Sequence, residues 1–233
     1  MSGLYFPELR GQKRVVVEGE EFHHLVRVLR AREGERVWLI DGAGLLAEAR
    51  LRKSYPHKAE LEVIQTHDRM GEPPAPIGIL IGLLKQPARI DWLVEKAVEL
   101  GATHLYFLAM HRSARKHIPA ERLQKVAIAA AKQNLRSLLP QIQVLRTWDE
   151  IPLSQFSCTL MGEIGATLSL YDKLPTSSHS VLWMVGPEGD FTEEEYQWMK
   201  QKGVEGVSLG VLRLRAETAA ILFLSAIKTA WRF

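Results

Sequence analysis

Several features that define whole classes of protein are missing from this sequence of 233 residues. It has a single cysteine, Cys158, so an internal disulfide is impossible and a reducing compartment is expected. No window approaches the roughly eighteen consecutive apolar residues of a membrane span. The stretch Met1–Pro7 lacks the basic and apolar regions of a secretory signal. These absences predict a cytoplasmic protein without a membrane partner.

Motifs of covalent, nucleotide and metal chemistry are also missing. There is no G-x-G-x-x-G, no P-loop and no G-x-S-x-G elbow, and the eight histidines show no H-x-x-x-H spacing. We therefore expect no metal site. Cys158 could be a nucleophile, but the apolar run around it favours a buried core thiol. What remains is an enzyme that works by positioning and electrostatics.

The basic residues are concentrated in two stretches, although the net charge is only +3. The first stretch contains His23, His24, Arg27, Arg30, Arg32 and Arg36, and the second contains Arg112, Arg115, Lys116, Arg122, Lys125, Lys132 and Arg136. Such clusters can form the binding surface for a polyanion. Each could equally be the solvated face of a helix, and composition does not decide between the two.

The N-terminal part reads as short strands. Alternating runs occur near residues 15–17, 36–40, 45–51 and 59–64, and residues 20–29 have helical spacing. This pattern predicts a small β-barrel over residues 1–68. The proline-rich segment 69–76 then predicts a linker.

From residue 77 to 233 strands alternate with helices. Ile77–Leu84 is a nearly continuous apolar run, which is typical of a strand buried on both faces. Further strands are predicted at 104–110, 142–145, 159–161, 181–185 and 206–209, with helices near 90–98, 123–139, 193–202 and 217–231. The alternation predicts an α/β domain with a parallel sheet.

Two predicted strand ends are candidate ligand sites, because ligands of parallel sheets bind beyond the carboxyl ends of strands. Val185–Thr192 contains Gly186 and Gly189, which could permit positive φ or close backbone approach. A plain strand–helix turn would have the same composition. The second end, Leu209–Ala219, places Arg213 and Arg215 before a helix N-terminus, where they could hold an anion or a developing negative charge. Glu217 suits the first helical turn for dipole reasons alone.

With these residues in view, the chain resembles the SPOUT-class methyltransferases that methylate N3 of a uridine in 16S ribosomal RNA. The resemblance runs the full length. Its motifs are His23–Arg30 with Gly34, Lys85-x-x-x-Arg89 with Lys96 and Glu99–Gly101, Gln133 with Arg136, Gly186–Gly189, and Leu214–Ala219. Each motif is short, but together and in this order they make chance similarity improbable.

The resemblance implies a PUA-like β-barrel that binds RNA, at residues 1–68, and a SPOUT domain with a deep trefoil knot, at residues 77–233. It implies a homodimer that acts on 16S ribosomal RNA or the small ribosomal subunit. S-adenosyl-L-methionine would be bound by Met161, Gly162, Glu163, Val185, Gly186, Gly189, Leu209, Gly210 and Leu214. RNA contacts are expected at His24, Arg27, Arg30, Lys85, Arg89, Arg112, Lys116, Gln133 and Arg136. Catalytic roles are expected for Arg215, Arg213 and Glu217.

Three positions depart from the family pattern. Asp190 stands where a second glycine is usual, Leu212 stands where a basic residue is usual, and Leu4 replaces an arginine. The alternative functions are therefore a SPOUT methyltransferase that acts on another RNA or another base atom, and a non-catalytic RNA-binding or ribosome-assembly module.

Overall fold

A computed structural model describes residues 2–175 and 179–233 of the chain. The chain forms two compact units. The first contains the residues up to Glu72 together with Ala127–Leu139, and the second contains Pro73–Val126 and Pro140–Phe233. No helix among the described residues has both the length and the apolar character that crossing a membrane requires.

The first unit is built on a five-stranded sheet. Its strands are β1 (Gly3–Tyr5), β2 (Arg14–Glu18), β3 (Arg36–Ile40), β4 (Leu45–Ser54) and β5 (Lys58–Asp68), in the order β1-β3-β4-β5-β2. β1 pairs with β3 in parallel, and the other neighbours are antiparallel. Leu4 of one edge strand and Val15 and Val17 of the other belong to the same buried core, so the sheet curls around that core. The expected N-terminal strands and their curled arrangement are confirmed, and β1 is an addition to them.

A short helix lies between the strands β2 and β3. α1 covers Gly19–His23 and continues as a π-helical turn over His24–Val28. Phe22 and Leu25 are buried in the core of the sheet, while Arg27 remains exposed. The helical spacing predicted for residues 20–29 is therefore correct, but its second half is wound more widely than an α-helix.

The second unit contains a six-stranded sheet in which every pairing is parallel. Its strands are β6 (Ile77–Gly82), β7 (His104–Leu108), β8 (Gln141–Leu145), β9 (Cys158–Gly162), β10 (Val181–Val185) and β11 (Glu205–Val207), in the order β11-β9-β10-β6-β7-β8. Every residue of β6 and β10 is buried, as strands covered on both faces require. The predicted α/β fold with a parallel sheet is confirmed, and the trefoil knot stays a prediction.

The α-helices of the remaining described residues are α2 (Pro87–Glu99), α3 (Ala120–Asn134), α4 (Leu170–Lys173), α5 (Glu193–Gln201) and α6 (Ala216–Trp231), and two short 3-10 helices cover Trp148–Glu150 and Leu153–Gln155. α3 begins in the second unit, and its turns from Ala127 onward belong to the first. The prediction that this helix reaches Pro140 is wrong. It ends at Asn134 because Leu135 adopts φ of 61°, and Leu139 then donates its N–H to the carbonyl oxygen of Gly42.

The order of the parallel strands creates a switch point in the second sheet. From β6 the chain adds β7 and β8 on one side, and it then places β10 and β9 on the other. The connections that leave β6 and β10 therefore diverge, and a crevice opens beyond their carboxyl ends. This is the position at which the sequence predicts a ligand.

Candidate functional site

A cavity of about 440 Å³ lies beyond the carboxyl ends of the parallel strands in the second unit. Its walls come from the segments that follow β6, β9, β10 and β11. The lining residues are Gln86, Arg89, Gly162, Glu163, Ile164, Val185, Gly186, Pro187, Glu188, Asp190, Leu209, Gly210, Leu212, Arg213, Leu214, Arg215, Ala216 and Ala219. The volume falls within the range of small-molecule sites, and the lining mixes apolar and charged groups as such sites do.

The turn after β10 is close-packed. A Cβ on Gly186 would lie 3.0 Å from the backbone nitrogen of Phe191, and one on Gly189 would lie 2.9 Å from the Cβ of Arg112. Neither glycine has positive φ. The residue with positive φ is Asp190, at 65°, so the glycines serve close approach and the idea that they supply the turn's left-handed conformation is wrong. Thr192 and Glu195 form a capping box that starts α5, the helix predicted near residues 193–202.

One wall of the cavity is held together by Arg89. Its Nε donates to Oε1 of Glu217 at 2.7 Å, its Nη2 donates to Oε2 of the same carboxylate, and its Nη1 donates to Oε1 of Glu188 at 2.7 Å. The hydrogen bond with Glu217 is the main cause that raises the pKa of Arg89. Glu217 is buried, and both of its carboxylate oxygens are engaged. The structure therefore does not support the catalytic role expected for Glu217.

Two arginines in the segment after β11 differ from Arg89, because they are exposed to solvent. Arg213 and Arg215 are exposed, and neither forms an ion pair in the described chain. Arg213 makes one long hydrogen bond, from Nη2 to the carbonyl oxygen of Glu188 at 3.5 Å. Arg215 occupies the N-cap position of α6, and its side chain makes no capping hydrogen bond to the helix. Both charges are available to an anion that reaches the cavity.

A third part of the cavity carries acidic groups. Glu163 accepts a hydrogen bond from Nζ of Lys200 at 3.0 Å. Oδ1 of Asp190 accepts two hydrogen bonds, from the hydroxyl of Tyr196 at 3.3 Å and from the N–H of Phe191 at 2.9 Å. Burial and then the charge of Asp190 raise the pKa of Tyr196, so this phenol stays protonated and keeps donating. The aspartate that departs from the family pattern is thus anchored by its own surroundings.

Most of the residues predicted to bind a cofactor meet at this cavity: Gly162, Glu163, Val185, Gly186, Leu209, Gly210 and Leu214. The two others do not line it. Met161 is fully buried in the core, and Gly189 packs against Arg112. Gln86 also lines the cavity and is not among the residues predicted from the sequence; it precedes Pro87 at the start of α2. Gln86 follows β6, so its place beyond the end of a strand is the signal that could have identified it.

Some residues predicted to contact RNA lie on the surface of the first unit. His24 and Arg27 line a shallow groove with Glu20, His23 and Val28. Burial lowers the pKa of His24, which favours its neutral form. Arg30 and Gln133 are exposed as well. This surface is open to a polyanion, and His24 contributes little charge to it near neutral pH.

Several of the other residues predicted to contact RNA already form hydrogen bonds within the chain. Arg112 donates from Nη1 to the carbonyl oxygens of Gly189 at 3.0 Å and Phe191 at 2.9 Å, and Lys116 donates to two carbonyls, of Met110 at 3.3 Å and of His111 at 3.4 Å. Both remain exposed, as does Lys85. Arg89 is held by the two carboxylates described above.

Arg136 departs most from the expectation. It is buried, and its Nε and Nη2 donate to the carboxylate of Glu72 at 2.9–3.2 Å. This placement does not support a contact with RNA, because the guanidinium is enclosed and neutralised.

Cys158 is half-buried, and burial raises the pKa of its thiol, so a nucleophilic role has no support either. Within residues 2–175 and 179–233, no cluster of histidine, cysteine and carboxylate side chains could hold a metal ion.

Comparison with known protein families gives two matches. Residues 71–228 match the model of the RNA methyltransferase domain, and residues 17–64 match that of the RNA methyltransferase PUA domain. The second match confirms the PUA-like character expected of the N-terminal part.

Individual relatives align with nearly the whole chain. The ribosomal RNA small subunit methyltransferase E of Bacillus subtilis (strain 168) is 30% identical, covering 96% of this chain and 94% of its own length. The protein of the same name from Aquifex aeolicus (strain VF5) is 27% identical, with coverages of 97% and 98%.

Solved structures extend the similarity to the fold. The ribosomal RNA small subunit methyltransferase E of Neisseria gonorrhoeae, bound to S-adenosyl methionine, superposes with a TM-score of 0.87 at 30% identity, covering 99% of this chain and 98% of its own. A probable rRNA-methyltransferase from Porphyromonas gingivalis gives 0.87 at 29% identity, with coverages of 100% and 99%.

Proposed function

Because the chain belongs to the RNA methyltransferase family, whose domain model its residues 71–228 match, we propose that it methylates N3 of a uridine in 16S ribosomal RNA with S-adenosylmethionine as the methyl donor. The observation that carries the proposal is the cavity at the switch point of the parallel sheet, which gathers the three predicted cofactor segments. The relatives named for the small ribosomal subunit support the choice of RNA.

The cavity suits this cofactor. Gly162, Gly186 and Gly210 each bring backbone without a side chain to one of the three segments, so a ligand can approach the main chain. Leu209 and Leu214 offer apolar surface, and carboxylates and guanidinium groups line the same space. A molecule that combines an adenine ring with an amino acid and a positively charged sulfur matches this mixture. The solved relative from Neisseria gonorrhoeae holds this molecule. When bound, the cofactor would supply the methyl group that its sulfur carries.

The chain's own contribution to the reaction is electrostatic. The N3–H bond of the uridine breaks, and its proton passes to solvent or to the RNA. N3 takes the methyl group, whose bond to the cofactor's sulfur would break and leave its electron pair on that sulfur. Negative charge on the base spreads over its carbonyl oxygens as the proton leaves. We assign the stabilisation of this charge to Arg215, with Arg213 as the second candidate, since both guanidinium groups are exposed and neither pairs with a carboxylate among the described residues.

The uridine must leave its stack to reach a cavity of this kind. We propose RNA contacts in each unit separately: exposed basic residues of the first unit, Arg27 and Arg30 among them, and Lys85, Arg112 and Lys116 of the second. We further propose a homodimer acting in the cytoplasm. Ile164, Tyr171, Val211 and Leu212 are large apolar side chains exposed in the segments after β9 and β11, which a second copy could cover.

Mass mapping of ribosomal RNA tests the function directly. 16S ribosomal RNA from cells that lack this protein should miss one methyl group on a uridine base, and treatment with the purified protein and S-adenosylmethionine should restore it. A methyl group on another base atom or on another RNA would contradict the assignment. Titration calorimetry separates the enzyme from a non-catalytic module, because a vestigial cavity gives no saturable heat with S-adenosylmethionine.

A further inference from the structure

Arg89 joins three separate segments of the cavity wall. It lies in the first turn of α2, after β6, while Glu188 belongs to the turn after β10 and Glu217 to the first turn of α6. The two glutamates are distant from Arg89 in sequence, so the bonds connect elements that local structure does not fix relative to each other. Glu188 is anchored further by the backbone N–H of Lys85, which donates to Oε1 at 3.1 Å and to Oε2 at 3.3 Å.

The charges around Arg89 make it a poor receptor for a phosphate. One guanidinium faces two carboxylates, so the cluster of Arg89, Glu188 and Glu217 has a net charge of about −1 at neutral pH. Each of the nitrogens Nε, Nη1 and Nη2 already donates to a carboxylate oxygen. Three of its five N–H groups are therefore used, and a phosphate that reaches the other two would approach a group of net negative charge. This argues against the RNA contact that the family resemblance implies for Arg89.

The same geometry is well suited to holding a wall in place. The side chain of Glu217 is only 8% exposed and that of Arg89 18%, so solvent screens their attraction weakly. The contact with Glu217 uses two parallel hydrogen bonds, which fix orientation as well as distance. The third bond, to Glu188, ties the turn after β10 to this rigid pair.

We propose that Arg89 is a positioning residue, which sets the separation of the Glu188 turn and the first turn of α6 so that the cavity between them accepts its ligand. The inference rests on the proposed function where it takes that ligand to be S-adenosylmethionine. It assigns no contact between Arg89 and RNA.

Titration calorimetry with S-adenosylmethionine is the first test. Arg89→Ala should weaken cofactor binding about tenfold or more, because the walls lose their tie and Glu217 keeps an uncompensated charge. Arg89→Lys should fall between this variant and the wild type, since an ammonium cannot bridge two carboxylates in the same way. Glu217→Gln should weaken binding as well, and should add little to the loss in Arg89→Ala because the two residues act as a unit.

Arg122→Ala is the matched control. Arg122 makes the same two-pronged contact with Asp91, through Nε and Nη2, on the surface of the same unit and away from the cavity. The control removes an equal charge and an equal type of ion pair, so its cofactor affinity should stay within about twofold of the wild type. Equal affinities of Arg89→Ala and Arg122→Ala would overturn the proposal.

Hydrogen exchange tests the tie without any ligand. The N–H of Asp190 donates to the carbonyl oxygen of Pro187, and the N–H of Ala219 donates to the carbonyl oxygen of Arg215. The exchange rates of these two amides therefore report on the Glu188 turn and on the first turn of α6. Their exchange should accelerate severalfold in Arg89→Ala and Arg89→Lys, and not in Arg122→Ala. If the wild type fails to bind S-adenosylmethionine, the proposed function is wrong, and exchange still decides the role of Arg89. Unchanged exchange at both amides would overturn that role.

The salt dependence of RNA binding separates positioning from contact. Loss of one phosphate contact lowers the slope of log K against log salt by about 0.7 for single-stranded RNA. We expect the slope of Arg89→Ala to equal that of the wild type, since the guanidinium is already neutralised within the chain. A slope reduced by that amount would make Arg89 an RNA contact and refute the proposal.

Discussion

The region around Arg136 in the first unit and the segment 213–215 in the second use the same side chain in opposite ways. Arg136 is buried and bound to a carboxylate whose side chain is only 1% exposed. Arg213 and Arg215 are exposed and have no acidic partner in the described chain. The difference lies in whether a carboxylate is within reach, and it divides arginines that stabilise the fold from arginines whose charge is available to a substrate.

The consequence is a rule for separating the two roles by experiment. Removing a buried, paired arginine or its partner leaves an isolated charge in a weakly screened place, so stability should fall. Removing an exposed, unpaired arginine leaves nothing uncompensated, so stability should hold and only function should change. Variants of Glu72, Arg215 and Arg112 test this distinction.

The largest effect is expected for Glu72→Ala. The variant removes the carboxylate that pairs with the buried guanidinium of Arg136, and we expect the free energy of unfolding to fall by about 3–5 kcal/mol. Urea denaturation measures the loss. Arg52→Ala is the control, since it removes the exposed pair with Glu62 on the same unit and should cost about 1 kcal/mol or less.

A double variant tests the cause of that loss. Glu72→Leu combined with Arg136→Met replaces both charges by apolar side chains, and it should recover most of the stability because no charge is left alone. If the double variant is as unstable as Glu72→Ala, packing and the hydrogen bond from the N–H of Leu138 to Glu72 account for the loss, and the buried charge does not.

Arg215→Ala comes next. We expect turnover to fall about 100-fold, which corresponds to about 2.7 kcal/mol of lost transition-state stabilisation. The free energy of unfolding should change by no more than about 0.5 kcal/mol, and the affinity for S-adenosylmethionine should persist. Single-turnover methylation with saturating RNA checks the first expectation. Rates equal to the wild type would remove Arg215 from the mechanism, and Arg213→Ala would then be the variant to measure.

The fold could be predicted from sequence where local pattern decides it. The continuous apolar run of β6 predicted a strand buried on both faces, and helical spacing near residues 193–202 predicted α5. β1 was out of reach, because a three-residue strand such as Gly3–Tyr5 exists through its pairing with the distant β3. The end of α3 was equally hidden, since Leu139 leaves the helix to pair with Gly42.

The site could be predicted only in outline. Glycines and strand ends located the segments that line the cavity, but they did not tell which arginine is paired. Arg136 finds its carboxylate 64 positions away and Arg89 finds Glu217 at a separation of 128. No spacing in the sequence reports a contact of that length. Basic residues that look alike in sequence thus separate into structural and available groups only once the chain is folded.

Arg112 lies between the two extremes and provides the smallest and most discriminating prediction. Its Nη1 donates to the carbonyl oxygens of Gly189 and Phe191, which fix the guanidinium without neutralising it. Arg112→Ala should therefore cost about 1 kcal/mol of stability for the lost hydrogen bonds. It should also lower the salt slope of RNA binding by about 0.7 if the remaining charge meets a phosphate, as we propose.

Arg112→Lys separates these two effects. It keeps the charge but loses the fixed guanidinium geometry, so the salt slope should stay at the wild-type value while part of the stability loss remains. A lysine variant with a reduced slope would show that the orientation of the guanidinium is needed for the RNA contact. If the salt slope of Arg112→Ala instead equals that of the wild type, Arg112 does not contact RNA. It would then be a structural arginine like Arg136, although its Nη1 donates to carbonyl oxygens.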